Sequence, residues 1–325
     1  MNMSCRTYTS KHHRPSPITR FFGLLIAALV LTTIVGTSSW AQKYSEWSTP
    51  ENLGTVVNTT GFDGCPFLTR EGLDLLFMSN IGSSAQNLYV THRDSIDSPW
   101  GVPESLGPDI NTAAFAEGCP MLTISGRYLY FFSNRPGGCG DADLWVARRA
   151  NKKNFTEWDV PENLGCVVNS AGPEFSPSLF EDEDGTLYLY FSSGLRVGGL
   201  GFGDVWVSKQ VDGVFTAPEP VTELNSSSND IRPKIRARDG LEIFYDSNRP
   251  GSVSADIYTS TRECVLCPWE APMKVGAASS SGLDGGPAVS FDGTELYFMS
   301  DRTDLGSSGG QDVYVVRREK LTDPK

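Results

Sequence analysis

The chain predicts an all-β fold, a single five-bladed β-propeller with four antiparallel strands per blade, on three observations. A Trp-x-x-Pro phrase recurs five times, with its prolines at Pro50, Pro103, Pro161, Pro218 and Pro272, and Phe215 stands for Trp in the fourth copy. An acidic-x-x-Pro phrase follows each copy, with Asp63, Glu117, Glu174, Asp230 and Asp284 at spacings of 54, 57, 56 and 54 residues. Short apolar runs separated by Gly-containing turns fill every interval, and a period of this size carried by strands marks a radial array.

Each element of the unit has its own sequence reason. The first strand follows the acidic residue: Pro66 to Thr69, Pro120 to Thr123, Pro177 to Phe180, Pro233 to Arg236 and Pro287 to Ser290. A tight turn comes next, at Gly72, Gly126, Gly185, Gly240 and Gly293, and three of these are Asp-Gly pairs that favour hairpins. The second strand is strongly apolar and aromatic, as in Leu75 to Met78 and Tyr128 to Phe132. A Ser- and Gly-rich loop leads to the third strand, which starts at Asn87, Asp143, Asp204, Asp256 and Asp312. The fourth strand is expected to hold the Trp-x-x-Pro phrase, which suits only an edge because proline cannot donate to a ladder. The first such phrase, Trp47 to Pro50, has no blade before it, and the last blade lacks its own fourth strand. The N-terminal strand is therefore expected to complete the C-terminal blade, removing an exposed edge.

The expected organisation is a signal peptide over 1–41 and a propeller over 42–325. The repeats fall at about 55–100, 101–158, 159–215, 216–269 and 270–320, with 45–54 closing the ring. Arg6, Lys11, Arg14 and Arg20 precede an apolar run of 16 residues, Phe21 to Gly36, and Ser39-Trp40-Ala41 resembles a cleavage site. Retention as an anchor is the alternative, although a bilayer span takes about 20 residues. The expectation is a periplasmic or secreted protein, monomeric, with no membrane span after cleavage. The net charge of −12 becomes more negative once that basic segment is removed, which argues against nucleic acid as a partner.

Units such as Cys119-Pro-Met-Leu-Thr, Leu129-Tyr-Phe-Phe-Ser-Asn-Arg-Pro-Gly-Gly and Asp143-Leu-Trp-Val-Ala-Arg resemble the TolB-type, WD40-like β-propeller repeat. Gly286-Pro-Ala-Val-Ser-Phe-Asp-Gly and Asp312-Val-Tyr-Val do so as well, and the likeness extends over residues 45 to 318. It implies a propeller fold and leaves the function open, since such repeats occur in periplasmic binding proteins, envelope-associated proteins and the propeller part of some serine peptidases.

Topology puts the five acidic residues near one mouth of the central channel. Arg135, Arg249 and Arg302 sit at matching loop positions, where blade one has Ile81, and blade three places Arg196 in a long glycine-rich loop, Gly194 to Gly203. These nine charged residues are the ligand-binding candidates. The carboxylates either cap their own turns and pair with the arginines, or face a ligand. No cofactor is expected, although carboxylates also admit a cation such as calcium. The main functional expectation is an exported non-catalytic module that binds or scaffolds a protein, peptide or glycan.

The alternative is a glycosidase. The stretch from Phe175 to Tyr190 is similar to the corresponding strands of five-bladed arabinanase- and xylosidase-type hydrolases. That resemblance implies Asp63 as base, Glu117 as modulator and Glu174 as acid, with Glu117 departing from the Asp of such enzymes. His92, at the end of a third strand and away from the acid mouth, is the one histidine after the leader, so a Ser-His-Asp triad is disfavoured. Cys264 and Cys267 are expected to form a local disulfide. Cys65, Cys119, Cys139 and Cys166 admit three pairings.

Overall fold

The computed structural model describes residues 44–82 and 85–321. The signal peptide predicted over residues 1–41 lies outside the described residues. Five antiparallel sheets form the propeller; four follow chain order from the innermost strand outward, and the fifth takes its outermost strand from the beginning of the described chain. Blade one comprises Asp63–Leu68, Asp74–Ser79, Asn87–His92 and Glu104–Ser105. Blades two and four repeat this plan, and blade three adds a short hairpin strand, Val214–Phe215. In blade five, Asp284–Val289, Glu295–Ser300 and Asp312–Arg317 are completed by Glu51–Asn52, with Glu51 opposite Val315 and Asn52 opposite Tyr314. The five innermost strands touch one another in order, and Asp284–Val289 meets Asp63–Leu68 to close the ring.

Apolar second and third strands supply the core. Phe77, Phe131, Phe191, Tyr245 and Tyr297 are fully buried, one from the second strand of each blade. These strands are covered by a neighbouring blade on either side, which is why they read as continuous apolar runs rather than alternating ones.

The edge strand differs from the expectation in one respect. The two-residue strands begin just after the phrase's proline, as at Glu104–Ser105 after Pro103, because proline has no N–H to give the ladder. The phrase is held by another device. The residue after the aromatic donates its N–H to the end of the third strand: Ser48 to Arg317 O at 2.7 Å, Gly101 to His92 O at 2.8 Å, Asp159 to Arg148 O at 2.7 Å, Thr216 to Lys209 O at 2.9 Å and Glu270 to Thr261 O at 2.9 Å. In four blades the Trp ring lies against a guanidinium, with centroid distances of 4.2 Å for Arg318 on Trp47, 4.5 Å for Arg93 on Trp100, 4.9 Å for Arg149 on Trp158 and 4.3 Å for Arg262 on Trp269. Each of these arginines also donates from Nε to the carbonyl of its hairpin glycine, Gly293, Gly72, Gly126 or Gly240, at 2.7 Å. Blade three has Gln210 at the arginine position and Phe215 at the tryptophan position, so the two departures belong to one lost clamp.

A second repeated device shapes the channel. Two residues after each acidic residue the backbone enters the left-handed region, with φ of 45° at Cys65, 47° at Cys119, 53° at Ser176, 56° at Arg232 and 53° at Gly286. The pairing with the second strand slips at the same place in every blade. This bulge separates the residues at the acid end of the channel from those at the hairpin end.

Candidate functional site

The five repeated carboxylates are fully buried, and each closes the loop in front of its own strand. Asp63 accepts from Thr59 N at 2.5 Å, Thr59 Oγ1 at 2.9 Å and Ser79 Oγ at 2.6 Å. Glu117 accepts from Thr112 N at 3.0 Å, Ser133 Oγ at 3.0 Å and Arg135 Nη2 at 3.2 Å. Glu174 accepts from Ser170 Oγ at 2.5 Å and Ser193 Oγ at 2.7 Å, with Arg196 Nη2 3.6 Å away. Asp230 accepts from Ser226 N at 2.6 Å and Arg249 Nη2 at 2.5 Å. Asp284 accepts from Ser280 N at 2.5 Å, Ser300 Oγ at 2.6 Å and Arg302 Nη2 at 2.8 Å. The same arginine groups reach back to loop carbonyls, Ile110 O for Arg135, Val168 O for Arg196, Leu224 O for Arg249 and Ala278 O for Arg302.

The structure thus distributes the nine candidate residues one loop clamp to a blade and does not bring the carboxylates together. Their lone pairs are taken by donors of the same blade, which is what a loop in every copy requires. Blade one has no arginine because Ile81 stands there, and burial pushes the Asp63 carboxyl above the ordinary range against the hydrogen bonds from Ser79 and Thr59.

The acid-side mouth itself is occupied by the bulge residues. A cavity of about 280 Å³ is lined there by Cys65, Cys119, Ser176, Ser192, Arg232, Gln86, Gln311 and apolar neighbours, and no carboxylate is among the lining residues. A disulfide joins Cys65 to Cys119 and so ties blade one to blade two. Arg232 holds Asp246 through Nε and Nη2, both at 2.9 Å, and Asp246 also accepts Gly286 N at 3.0 Å. Arg232 N donates to Ser192 Oγ at 2.7 Å. The remaining cysteines pair as Cys139 with Cys166 and Cys264 with Cys267. Among the described residues, no group of three or more His, Cys, Asp or Glu is placed to hold a metal ion.

The larger cavity, about 410 Å³, opens at the opposite mouth, among the hairpins between first and second strands. Its depth is lined by the residues that follow the bulge, Phe67, Met121, Ser178, Lys234 and Ala288, one from each blade. Its margin carries Arg70, Glu71, Asp74, His92, Lys152 and Lys153. His92 Nδ1 lies 2.6 Å from Asp74 Oδ1, across the pair of strands that places Asp74 opposite His92, and the imidazole meets the edge of Phe155 at 5.4 Å. Arg149 stacks on the same Phe155 ring at 4.0 Å and donates to Gly126 O and Asn154 O, and burial brings its guanidinium down to about 10. Lys234 is 4 % exposed, its Nζ donates to Pro177 O at 3.0 Å, and burial pushes its ammonium down to about 7.

None of the nine residues singled out from the sequence lines this cavity. His92, away from the acid mouth, stands at the margin of this cavity. The sequence signal that points to this cavity is the column four residues after each acid, which reads Phe67, Met121, Ser178, Lys234 and Ala288 and breaks to a lysine once.

No protein-family model matches the chain, and no curated protein matches it. Solved structures match the fold. The α-L-arabinofuranosidase from Lactobacillus brevis is 14 % identical, with 80 % of this chain and 91 % of that chain covered at a TM-score of 0.56. The native arabinanase of Bacillus subtilis is 12 % identical, with 80 % and 95 % covered at 0.53. The α-L-arabinofuranosidase from Podospora anserina, solved with cellotriose, is 11 % identical, with 86 % and 98 % covered at 0.52. The matches establish the five-bladed fold, and these matched proteins are glycoside hydrolases rather than TolB-type repeat proteins. The expectation of a non-catalytic binding or scaffold module is corrected accordingly, because the architecture it was drawn from is the one on which these hydrolases are built.

Proposed function

We propose that the chain is a glycoside hydrolase that works at the hairpin-side cavity. The observation that carries the reading is that this cavity brings two carboxylates, Glu71 and Asp74, to its margin, whereas the acid-side mouth has none among its lining residues. Hydrolysis of a glycosidic bond takes two carboxyl groups, one to protonate the leaving oxygen and one to activate water or attack the sugar. Asp74 is oriented by its hydrogen bond with His92 and partly open to solvent, a placement that suits a group meeting the substrate. Glu71, exposed in the hairpin turn, is the second carboxylate. A volume of about 410 Å³ lies within the ordinary range of ligand pockets. The fold likeness to arabinofuranosidases and an arabinanase supports a glycan as the substrate class. Action outside the cytoplasm, in the periplasm or beyond, belongs to the same proposal and is supported by three disulfides. The TolB-type likeness of the repeats describes their sequence pattern, and the catalytic reading does not depend on it.

The test is turnover of chromogenic α-L-arabinofuranosides and β-xylosides, and of arabinan and xylan fragments, by the protein and its Asp74→Asn and Glu71→Gln variants. The expected result is cleavage that falls by about 10²–10⁴ in each variant, the range for removal of a proton-transfer group. Absence of cleavage across the panel, or full activity in Asp74→Asn, overturns the reading.

A further inference from the structure

We propose that Lys234 is a carbonyl-capturing amine, and that the hairpin-side cavity binds a small anionic aldehyde or ketone as an imine on its Nζ. The inference does not rest on glycoside hydrolysis at the same cavity.

Three observations converge on it. Lys234 is 4 % exposed yet lines the cavity, and among the described residues its Nζ makes a single hydrogen bond, to Pro177 O at 3.0 Å. Among the described residues its charge is shifted by burial alone, with no carboxylate acting on it, so the neutral amine is well populated near neutrality. An amine desolvated in this way keeps its lone pair available for addition to a carbonyl. Second, the propeller does not need an amine there. The same position holds Phe67, Met121, Ser178 and Ala288 in the other blades, none of them charged, so the blade fills this place without a cation four times out of five. A buried lysine with no ionic partner is costly to fold, and here no structural requirement of the repeat accounts for it. Third, the surroundings select the ligand's charge. In a chain of net charge −12, Arg70, Lys152 and Lys153 join Lys234 at this cavity against Glu71 and Asp74. Cations at the margin suit a carboxylate on the incoming carbonyl compound.

The step balances without a further reagent. The neutral Nζ attacks the carbonyl carbon, a C–N bond forms, and the carbonyl oxygen leaves as water with the two protons that nitrogen gives up. Water reverses it.

The test uses glyoxylate as the probe and cyanoborohydride as the added reductant, which converts the imine to a stable secondary amine. The modified lysines are mapped by peptide mass spectrometry. At pH 7 Lys234 is expected to label at least about tenfold faster than Lys152 and Lys153, since an ordinary lysine with pKa about 10.4 is almost wholly protonated there. Its labelling should level off above pH 8 while that of the surface lysines keeps rising. Lys234→Met, which retains a long apolar side chain, should fold and lose the fast site. Labelling of surface lysines with Lys234 unmodified, or a fast site that persists in Lys234→Met, overturns the proposal. Glycoside turnover is a separate readout, so either proposal can fail alone.

Discussion

Arg302 Nη2 lies 2.8 Å from Asp284 Oδ1, both side chains are buried, and the same guanidinium holds Ala278 O. Asp63 has the corresponding place in blade one without an arginine, because Ile81 replaces it. Removing one carboxylate therefore has two different costs. Asp284→Ala strands a buried guanidinium and is expected to destabilise by about 3–5 kcal/mol. Asp63→Ala leaves only neutral donors without an acceptor, at about 1–3 kcal/mol. Urea unfolding of the two variants checks the order, and equal losses would remove the arginine clamp from the explanation.

The buried lysine makes stability depend on pH. Lys234 titrates near 7 in the folded chain and near its ordinary 10.5 when unfolded. Between those values the unfolded chain binds the proton and the folded chain does not, so this lysine's contribution to stability rises with pH. From pH 7 to pH 9 the gain is about 2 kcal/mol for wild type relative to Lys234→Met. Urea midpoints at both pH values measure it, and parallel curves for the two proteins would show that the amine keeps its proton on folding.

The disulfide between Cys65 and Cys119 closes 54 residues and locks two neighbouring blades at the channel. In the chain-entropy account a loop of that length is worth about 4 kcal/mol. Replacing both cysteines by serine is expected to lower the thermal midpoint clearly more than the same change at Cys264 and Cys267, which enclose a turn of sequence separation 3. Calorimetry of the two double variants decides it.

Trp269 is 7 % exposed and packed on Arg262, whose Nε holds Gly240 O. Trp269→Ala should cost about 3–5 kcal/mol through lost packing. Phe215→Ala is expected to cost less, because blade three has Gln210 where the four other blades place the stacked arginine. Comparable losses at the two positions would mean that ring burial alone, and not the clamp, sets the cost.

The fold was legible because every blade repeats its local solution. The acid and the hairpin glycine recur at similar offsets in all five blades and the Trp–Arg pair in four, and the copies average out the ambiguity of any one. The same repetition makes the five acids the most visible residues of the chain. Of the two roles their recurrence admits, capping their own turns or facing a ligand, Asp63 and Glu174 show the first, each held by hydroxyl donors of its own blade. The cavity residues are less visible: the column four residues after each acid changes residue type from blade to blade, Asp74 and His92 meet only because strand pairing sets them opposite each other, and the left-handed bulge decides which side of the channel Lys234 lines. Register and bulge are properties of paired strands, and a single strand's sequence does not display them.

The pairing of Glu51 with Val315 also imposes an order in time. As the chain is synthesised, blades one to four can each form from contiguous sequence soon after it emerges. Residues around Trp47 to Asn52 emerge before all of them, and their partner strand emerges after. Until then the first-made strand is an unpaired edge, and the last blade's three strands must find it across a separation of more than 260 residues. Contacts of such range form slowly. The final closure of the ring is thus the step at which a nascent chain stays longest exposed to wrong pairing, including with another copy of itself.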